Sequence, residues 1–127
     1  MKQFSLHDLP LGKRHILAGL VPGEYLTDGG LNFKSGGQRS HDVGCTCASC
    51  DGKGRHVHEH EHEIFVILQG KARIEVDGAS HDLRAGDVVI CEPGADHHLV
   101  SDPDDPCVNI YLHTGNQPHT DQEGRSA

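Results

Sequence analysis

RHVHEHEHEIFVILQG, running from Arg55 to Gly70, joins a histidine-rich half to an apolar half. His56, His58, His60 and His62 alternate with Val57, Glu59 and Glu61. In an extended strand every second side chain points the same way, so these four imidazoles could line one face. Converging imidazoles beside a carboxylate suit a divalent transition metal. A solvated polar edge is the plainer alternative. An expression tag does not fit, because the histidines are internal and run straight into a strand-like segment. That segment, EIFVILQG, is apolar on both faces, which predicts a central strand covered on both sides.

Downstream of Gly70 the pattern stays β. In KARIEVDG, Ala72, Ile74 and Val76 alternate with polar residues, and Asp77-Gly78 is a hairpin signal. SHDLRAGDVVICEPGADHHLVS reads as a short strand, a turn at Ala85-Gly86-Asp87, a strand Val88 to Cys91, a turn at Pro93-Gly94, and a strand His97 to Ser101. Asp102 to Pro106 is a polar turn, and CVNIYLH, Cys107 to His113, is the last strand.

Upstream, Met1 to Leu11 forms a leading arm, and Arg14 to Val21 and Glu24 to Thr27 are strand candidates. Asp28-Gly29-Gly30 is expected to turn the chain into a half-buried strand, Leu31 to Ser35. Residues 36–54 show no apolar periodicity and contain five glycines, so they form a long loop. Long loops in compact domains are usually functional or disordered. Short strands with close turns and no competing helix pattern predict an all-β sandwich or barrel.

The 127 residues suffice for one domain and one core. Tryptophan is absent, so the core must rest on Val, Ile, Leu and Ala. The net charge of −8 argues against a nucleic-acid partner, which needs a basic stripe. No apolar run approaches a membrane span, and MKQFSLHDLPLGK lacks the apolar core of a signal peptide. The expectation is a cytoplasmic protein. The five cysteines, three of them in one loop, are not a secreted disulfide framework.

Two motifs in order resemble those of the cupins, small β-barrels of jelly-roll type. The first is His56-Val57-His58, four residues, Glu63, and then Gly70; the second opens at Gly86-Asp87 and closes with Pro93-Gly94-Ala95-Asp96-His97. The spacer between them, a hairpin through Asp77-Gly78, also fits. The departures are Cys50 for a glycine before the first pair, Glu92 for a proline before Pro93, and Ser101 for an asparagine after the last histidine. None removes a ligand. The resemblance implies a single-domain all-β cupin β-barrel (a double-stranded β-helix) over residues 1–113. Its core motifs span 54–101, residues 36–54 are a Cys-rich loop insertion, and 114–127 form a flexible C-terminal tail.

It further implies a metal site of His56, His58, Glu63 and His97, holding Fe, Mn, Ni or Zn. Two positions would stay open for water, dioxygen or a chelating substrate. Glu63 has the opposite strand parity from His56 and His58, so a bend must lie between Glu59 and His62. In so His-rich a run two other registers remain open: His58 with His60, or His62 in place of Glu63. Phe65, Gln69, Asn109 and Tyr111 are candidate lining residues, with core packing or exposure as the alternative. His81, His98 and His113 read as surface or rim histidines. The resemblance implies a homodimer that covers bare strand edges and a small-molecule ligand. Two function classes follow: a metal-dependent enzyme of dioxygenase or isomerase type acting on a small anionic substrate, or a non-catalytic metal or small-ligand binding module.

Within GCTCASCDG, Cys45, Cys47 and Cys50 are a candidate second metal or redox site. Thiolates this close can bind a second Zn or exchange disulfides. A four-ligand zinc site needs one more donor, and His41 is nearest in sequence. A thiol-rich loop without metal is the alternative. The loop runs into the ligand strand and could cover the barrel mouth as a lid. Cys91 and Cys107 fall in strand patterns and act as small core residues.

Overall fold

The structure, a computed structural model, describes residues 1–8 and 25–115, with the backbone alone for 25–28. The expected strand Arg14 to Val21 and the tail beyond residue 115 lie outside these residues. Eight strands are present: β1 (Lys2–Ser5), β2 (Tyr25–Lys34), β3 (Glu61–Gln69), β4 (Lys71–Val76), β5 (Ala79–Arg84), β6 (Asp87–Cys91), β7 (His97–Ser101) and β8 (Cys107–Gly115). A single 3₁₀ turn, Leu6–Asp8, is the only helical element among the described residues. The strands form a five-stranded sheet, β1-β6-β3-β8-β2, and a three-stranded sheet, β5-β4-β7, with every pair antiparallel.

The apolar-on-both-faces segment behaves as expected. β3 lies in the middle of the larger sheet, between β6 and β8. Phe65 and Ile67 join Ile74, Leu83, Val89, Cys91, Leu99 and Cys107 in the main core. Ile64 packs the opposite face with Val88 and Ile90, and Phe4 and Leu6 of the N-terminal segment help to cover it. Cys91 and Cys107 are fully buried core residues.

Three expectations about β structure need correction. Asp28-Gly29-Gly30 makes no turn: β2 runs through it, with a register shift between Leu26 and Asp28. The glycines serve close approach instead, since a Cβ on Gly29 would stand 2.8 Å from the Tyr111 carbonyl oxygen and one on Gly30 2.9 Å from the Tyr111 hydroxyl. The leading arm is in part a strand, because β1 pairs with the edge of β6. β8 continues through Thr114 and Gly115, which pair with β3 and β2.

The other turns follow their chemistry. Asp77-Gly78 closes the β4–β5 hairpin with both φ angles positive, 47° and 84°. Gly70 turns β3 into β4 at φ 76°, and a Cβ there would lie 1.8 Å from the Pro106 carbonyl oxygen. Only glycine fits that turn.

Candidate metal centre

The first histidines do not sit on a regular strand. Glu59 and His60 form a bend, and β3 begins only at Glu61. The bend changes the parity, so Glu63 comes round to the side of His56 and His58. His60 is exposed on the bend. His62 is adjacent to Glu63 in β3 and so points to the other face of the sheet. β7 delivers His97, whose backbone partner across the ladder is Val76. His56, His58, Glu63 and His97 are 2, 8, 7 and 2% exposed. Each offers a donor atom, and the four atoms lie within 4.8 Å of one another.

Glu63 is the hub. Its Oε1 is 2.6 Å from His97 Nε2 and 3.3 Å from His58 Nε2, and its Oε2 is 3.3 Å from His113 Nε2. Burial opposes the carboxylate's charge, yet the surrounding imidazoles, His113 first, hold it well below the usual range. The histidines are oriented from behind. His97 Nδ1 lies 2.9 Å from the Ala95 carbonyl oxygen, an acceptor only, so Nδ1 carries the proton. His58 Nδ1 faces Glu61 at 3.2 Å and Ser49 Oγ at 3.3 Å. In both rings Nε2 is turned towards the centre, as a second layer of partners does for metal-ligating histidines. Burial and the neighbouring imidazoles His41, His97 and His58 push His56 down to about 2, which keeps it neutral and able to donate a lone pair. Three imidazoles and a buried carboxylate on preset tautomers suit a divalent ion chemically.

The backbone behind the site is tied down by Asp96. Its Oδ1 accepts the His56 amide at 2.8 Å and faces His98 Nε2 at 2.8 Å. His98 Nδ1 meets the Ser40 carbonyl oxygen at 2.8 Å. His98 is therefore 1% exposed rather than a surface residue, because the loop of residues 36–54 covers its side of β7. His113 is the second correction among the histidines. It is buried and faces Glu63 because it shares the inward side of β8 with Asn109 and Tyr111. Extending that alternation two residues past Tyr111 would have found it. His81 is half-buried, as a rim residue should be. Phe65 lies inside, its ring 6.3 Å from that of His97, and Asn109 is fully buried. Gln69 is exposed, since a register shift after Ile67 breaks the parity argument.

In the loop, His41, Cys47 and Cys50 gather against His56, again with donor atoms within 4.8 Å of one another. All five cysteines are free thiols. Burial raises Cys50 and Cys47, while a backbone hydrogen bond from Cys47 lowers Cys45. The chain thus carries a His/Glu group and a His/Cys group, each positioned to hold a metal ion.

Two packed antiparallel sheets with histidines gathered around an inward glutamate define a cupin-type fold. The Cupin_2 family profile, a cupin domain, matches residues 49–113, just over half of the chain, and the protein belongs to that family. Solved structures agree on the fold. The cupin domain of Schizosaccharomyces pombe Cnp3 superposes with a TM-score of 0.55 at 18% identity, over 69% of this chain and 55% of that one. A predicted oxalate decarboxylase from Thermotoga maritima gives 0.54 at 21% identity, over 68% and 64%. A Cupin 2 conserved barrel domain protein from Salinispora arenicola gives 0.52 at 26% identity, over 75% and 71%. The match spans less than two thirds of the first two proteins' own length. No curated protein sequence matches the chain. No helix among the described residues is long and apolar enough to cross a membrane.

Proposed function

We propose that this cupin holds one divalent transition metal, Fe, Mn, Ni or Zn, on His56, His58, Glu63 and His97, and uses it as an enzyme of dioxygenase or isomerase type on a small anionic substrate. The convergence of four buried donors on one point carries the reading. A bound ion would supply Lewis acidity to an anionic oxygen of the substrate. The chain supplies the rest. His58 and His97 are held with Nε2 inward, Glu63 provides the compensating charge, and Phe65 gives the site an apolar flank. His113 and Glu61, which with His58 form a further close group, stand where a proton could be held beside the ion.

A second reading, a non-catalytic metal or small-ligand binding module, draws on the enclosure of the same four donors. None is more than 8% exposed, so a substrate needs an opening that a storage or sensing ion does not. Oxygen uptake by the iron-loaded protein with catechols, diketones or thiols separates the two readings. Turnover supports the enzyme, whereas a redox-inert native ion without turnover supports the module or an isomerase. Elemental analysis comes first: no metal in the purified protein, and none after loading, would sink the metal site in both readings and leave only a small-ligand module.

We further propose that the chain is cytoplasmic, since its thiols are unpaired, and that one domain covers residues 1–113, extended by the end of β8 to Gly115, with a tail after it. A homodimer would cover the outer face of β2, where Leu31 and Phe33 are 71% and 64% exposed.

A further inference from the structure

The Cys-rich loop places soft donors where a tetrahedral ion needs them. Cys47 Sγ is 3.2 Å from Cys50 Sγ and 3.5 Å from His41 Nδ1. His56 Nδ1 is 3.2 Å from Cys50 Sγ and 3.8 Å from Cys47 Sγ. Around zinc, with bonds of about 2.3 Å to sulfur and about 2.0 Å to nitrogen, tetrahedral donors stand roughly 3.3–3.8 Å apart. The four observed separations fall in or next to that range. In sequence the set reads H-x5-C-x2-C-x5-H, symmetrical about the cysteine pair.

The backbone is shaped to hold this cluster. His41 takes a left-handed conformation, φ 51°, which a residue with a Cβ adopts at some cost. Its ring stacks on that of His56, centroids 3.7 Å apart and planes 7° apart, so one ring must tilt before both in-plane lone pairs can meet one ion. The Cys50 amide donates to the Cys47 carbonyl at 3.1 Å, and the Val57 amide to the Ser49 carbonyl at 2.9 Å. These bonds close the x2 turn and return the chain to His56. Cys47 and His56 are buried, and His41 and Cys50 half-buried.

We propose that His41, Cys47, Cys50 and His56 form a second, thiolate-containing metal site that takes zinc. It stands whether or not the central set holds an ion. Two thiolates and two imidazoles are a closed tetrahedral set, the arrangement of a structural rather than a catalytic ion. Cys45 Sγ, 3.4 Å from His41 Nδ1, lies at the edge and is not one of the four. His56 belongs to both groups. Its Nδ1 faces the thiols, and since a neutral imidazole has one lone pair, His56 would serve both ions at once only as a bridging imidazolate, its second proton released to solvent. An ion here would tie residues 41–56 into a closed loop beside the central donors.

The test is cobalt(II) as a spectroscopic stand-in for zinc, added to the reduced, metal-stripped protein under anaerobic conditions. The expected result is a sulfur-to-cobalt charge-transfer band in the near ultraviolet with intense tetrahedral visible bands, both bleached when zinc is added. The bands persist in Glu63→Gln and His97→Ala and vanish in the double variant Cys47→Ser, Cys50→Ser. Cobalt bound to the wild-type chain without a sulfur band overturns the proposal, as does a band that survives in the double variant. If the double variant does not fold, the wild-type and Glu63→Gln spectra still decide. Failure of the central-site reading would show separately, as Glu63→Gln leaving metal content unchanged.

Discussion

The two donor groups that meet at His56 are built in opposite ways. Glu63 and His97 of the central group are set by the sheets, and His56 and His58 by the segment just before the bend. Glu63 is fixed by its pairing with Cys91 on one side and His113 on the other, and His97 by its pairing with Val76. Its donors are imidazoles around a buried carboxylate. The loop group is assembled locally, within residues 41–56, by turns and one left-handed histidine, and it offers thiols. A site set by ladder registers is non-local and rigid. A site set by turns is local and depends on whatever closes the loop. The first suits an ion that must keep open positions, the second an ion whose positions are all filled.

Glu63→Gln strikes hardest at the distinction. It removes the one carboxylate in the central group, and the variant should lose more affinity for iron or manganese than the roughly 10–100-fold that loss of an outer partner costs. Zinc at the loop thiols should be unaffected. Competition against a chromophoric chelator measures both. Equal losses at the two groups would mean that they form one site, and the comparison would collapse.

Rigidity can be tested at two glycines. Gly70→Ala drives a Cβ to 1.8 Å from the Pro106 carbonyl oxygen at a positive φ, so the β3–β4 corner must move. The expected cost is about 3 kcal/mol or more, in the class of overpacking and backbone strain. Gly44→Ala in the loop meets nothing within 4 Å and carries only the left-handed penalty of about 1–2 kcal/mol. Urea midpoints at unchanged slope give both values. A Gly44 variant as damaging as the Gly70 one would show the loop to be as tightly built as the sheets.

The same contrast explains what could be read from the chain. β3 through β7 were legible because alternation, hairpin glycines and Pro93-Gly94 act over a few residues. The bend at Glu59–His60 was legible only through the parity conflict between His58 and Glu63. The continuity of β2 through Gly29 and Gly30 was not, since it depends on Tyr111 and Leu112 in a strand some eighty residues away. His113 and His98 were misplaced for a related reason. Their burial comes from β3 and from the loop over β7; the alternation past Tyr111 points to the first, and nothing near His98 in sequence announces the second. Recruitment of His56 to the cysteines likewise depends on the Cys50–His56 bridge.

The central group also sets a pH dependence of its own. In the metal-free chain His97 meets an acceptor at each nitrogen, Ala95 at Nδ1 and Glu63 at Nε2, so both must carry protons. Burial works against that charge, but the Glu63 carboxylate outweighs it and raises His97. A raised histidine contributes stability that is fully present below its unfolded value, about 6.5, and is lost as pH rises through the folded value. The metal-free protein should therefore weaken above neutrality. An ion replaces that proton, so central-site affinity should rise by about tenfold per pH unit while His97 remains protonated. Melting curves with and without metal, across pH, report both. A free-protein curve that is flat with pH would remove the imidazolium.

The smallest effect is expected where the loop is fastened to the sheets by charge alone. Arg39 Nε reaches Glu75 on β4 at 2.7 Å, and its Nη1 reaches Asp42 at 2.7 Å. This is the loop's one ion pair to the sheets among the described residues. Both side chains of the Arg39–Glu75 pair are about a quarter exposed, so solvent screens the attraction. Arg39→Met, which keeps the aliphatic stem, should cost no more than about 1 kcal/mol. Salt should change the wild-type protein by a similar amount. If the loop's order rests instead on the Ser40 contacts to Leu99 and His98, the variant's loop amides should exchange with solvent no faster than before. Fast exchange confined to residues 36–54 would show that Arg39 carries the fastening. The loop group would then need its zinc, rather than the protein's own contacts, to stay in place.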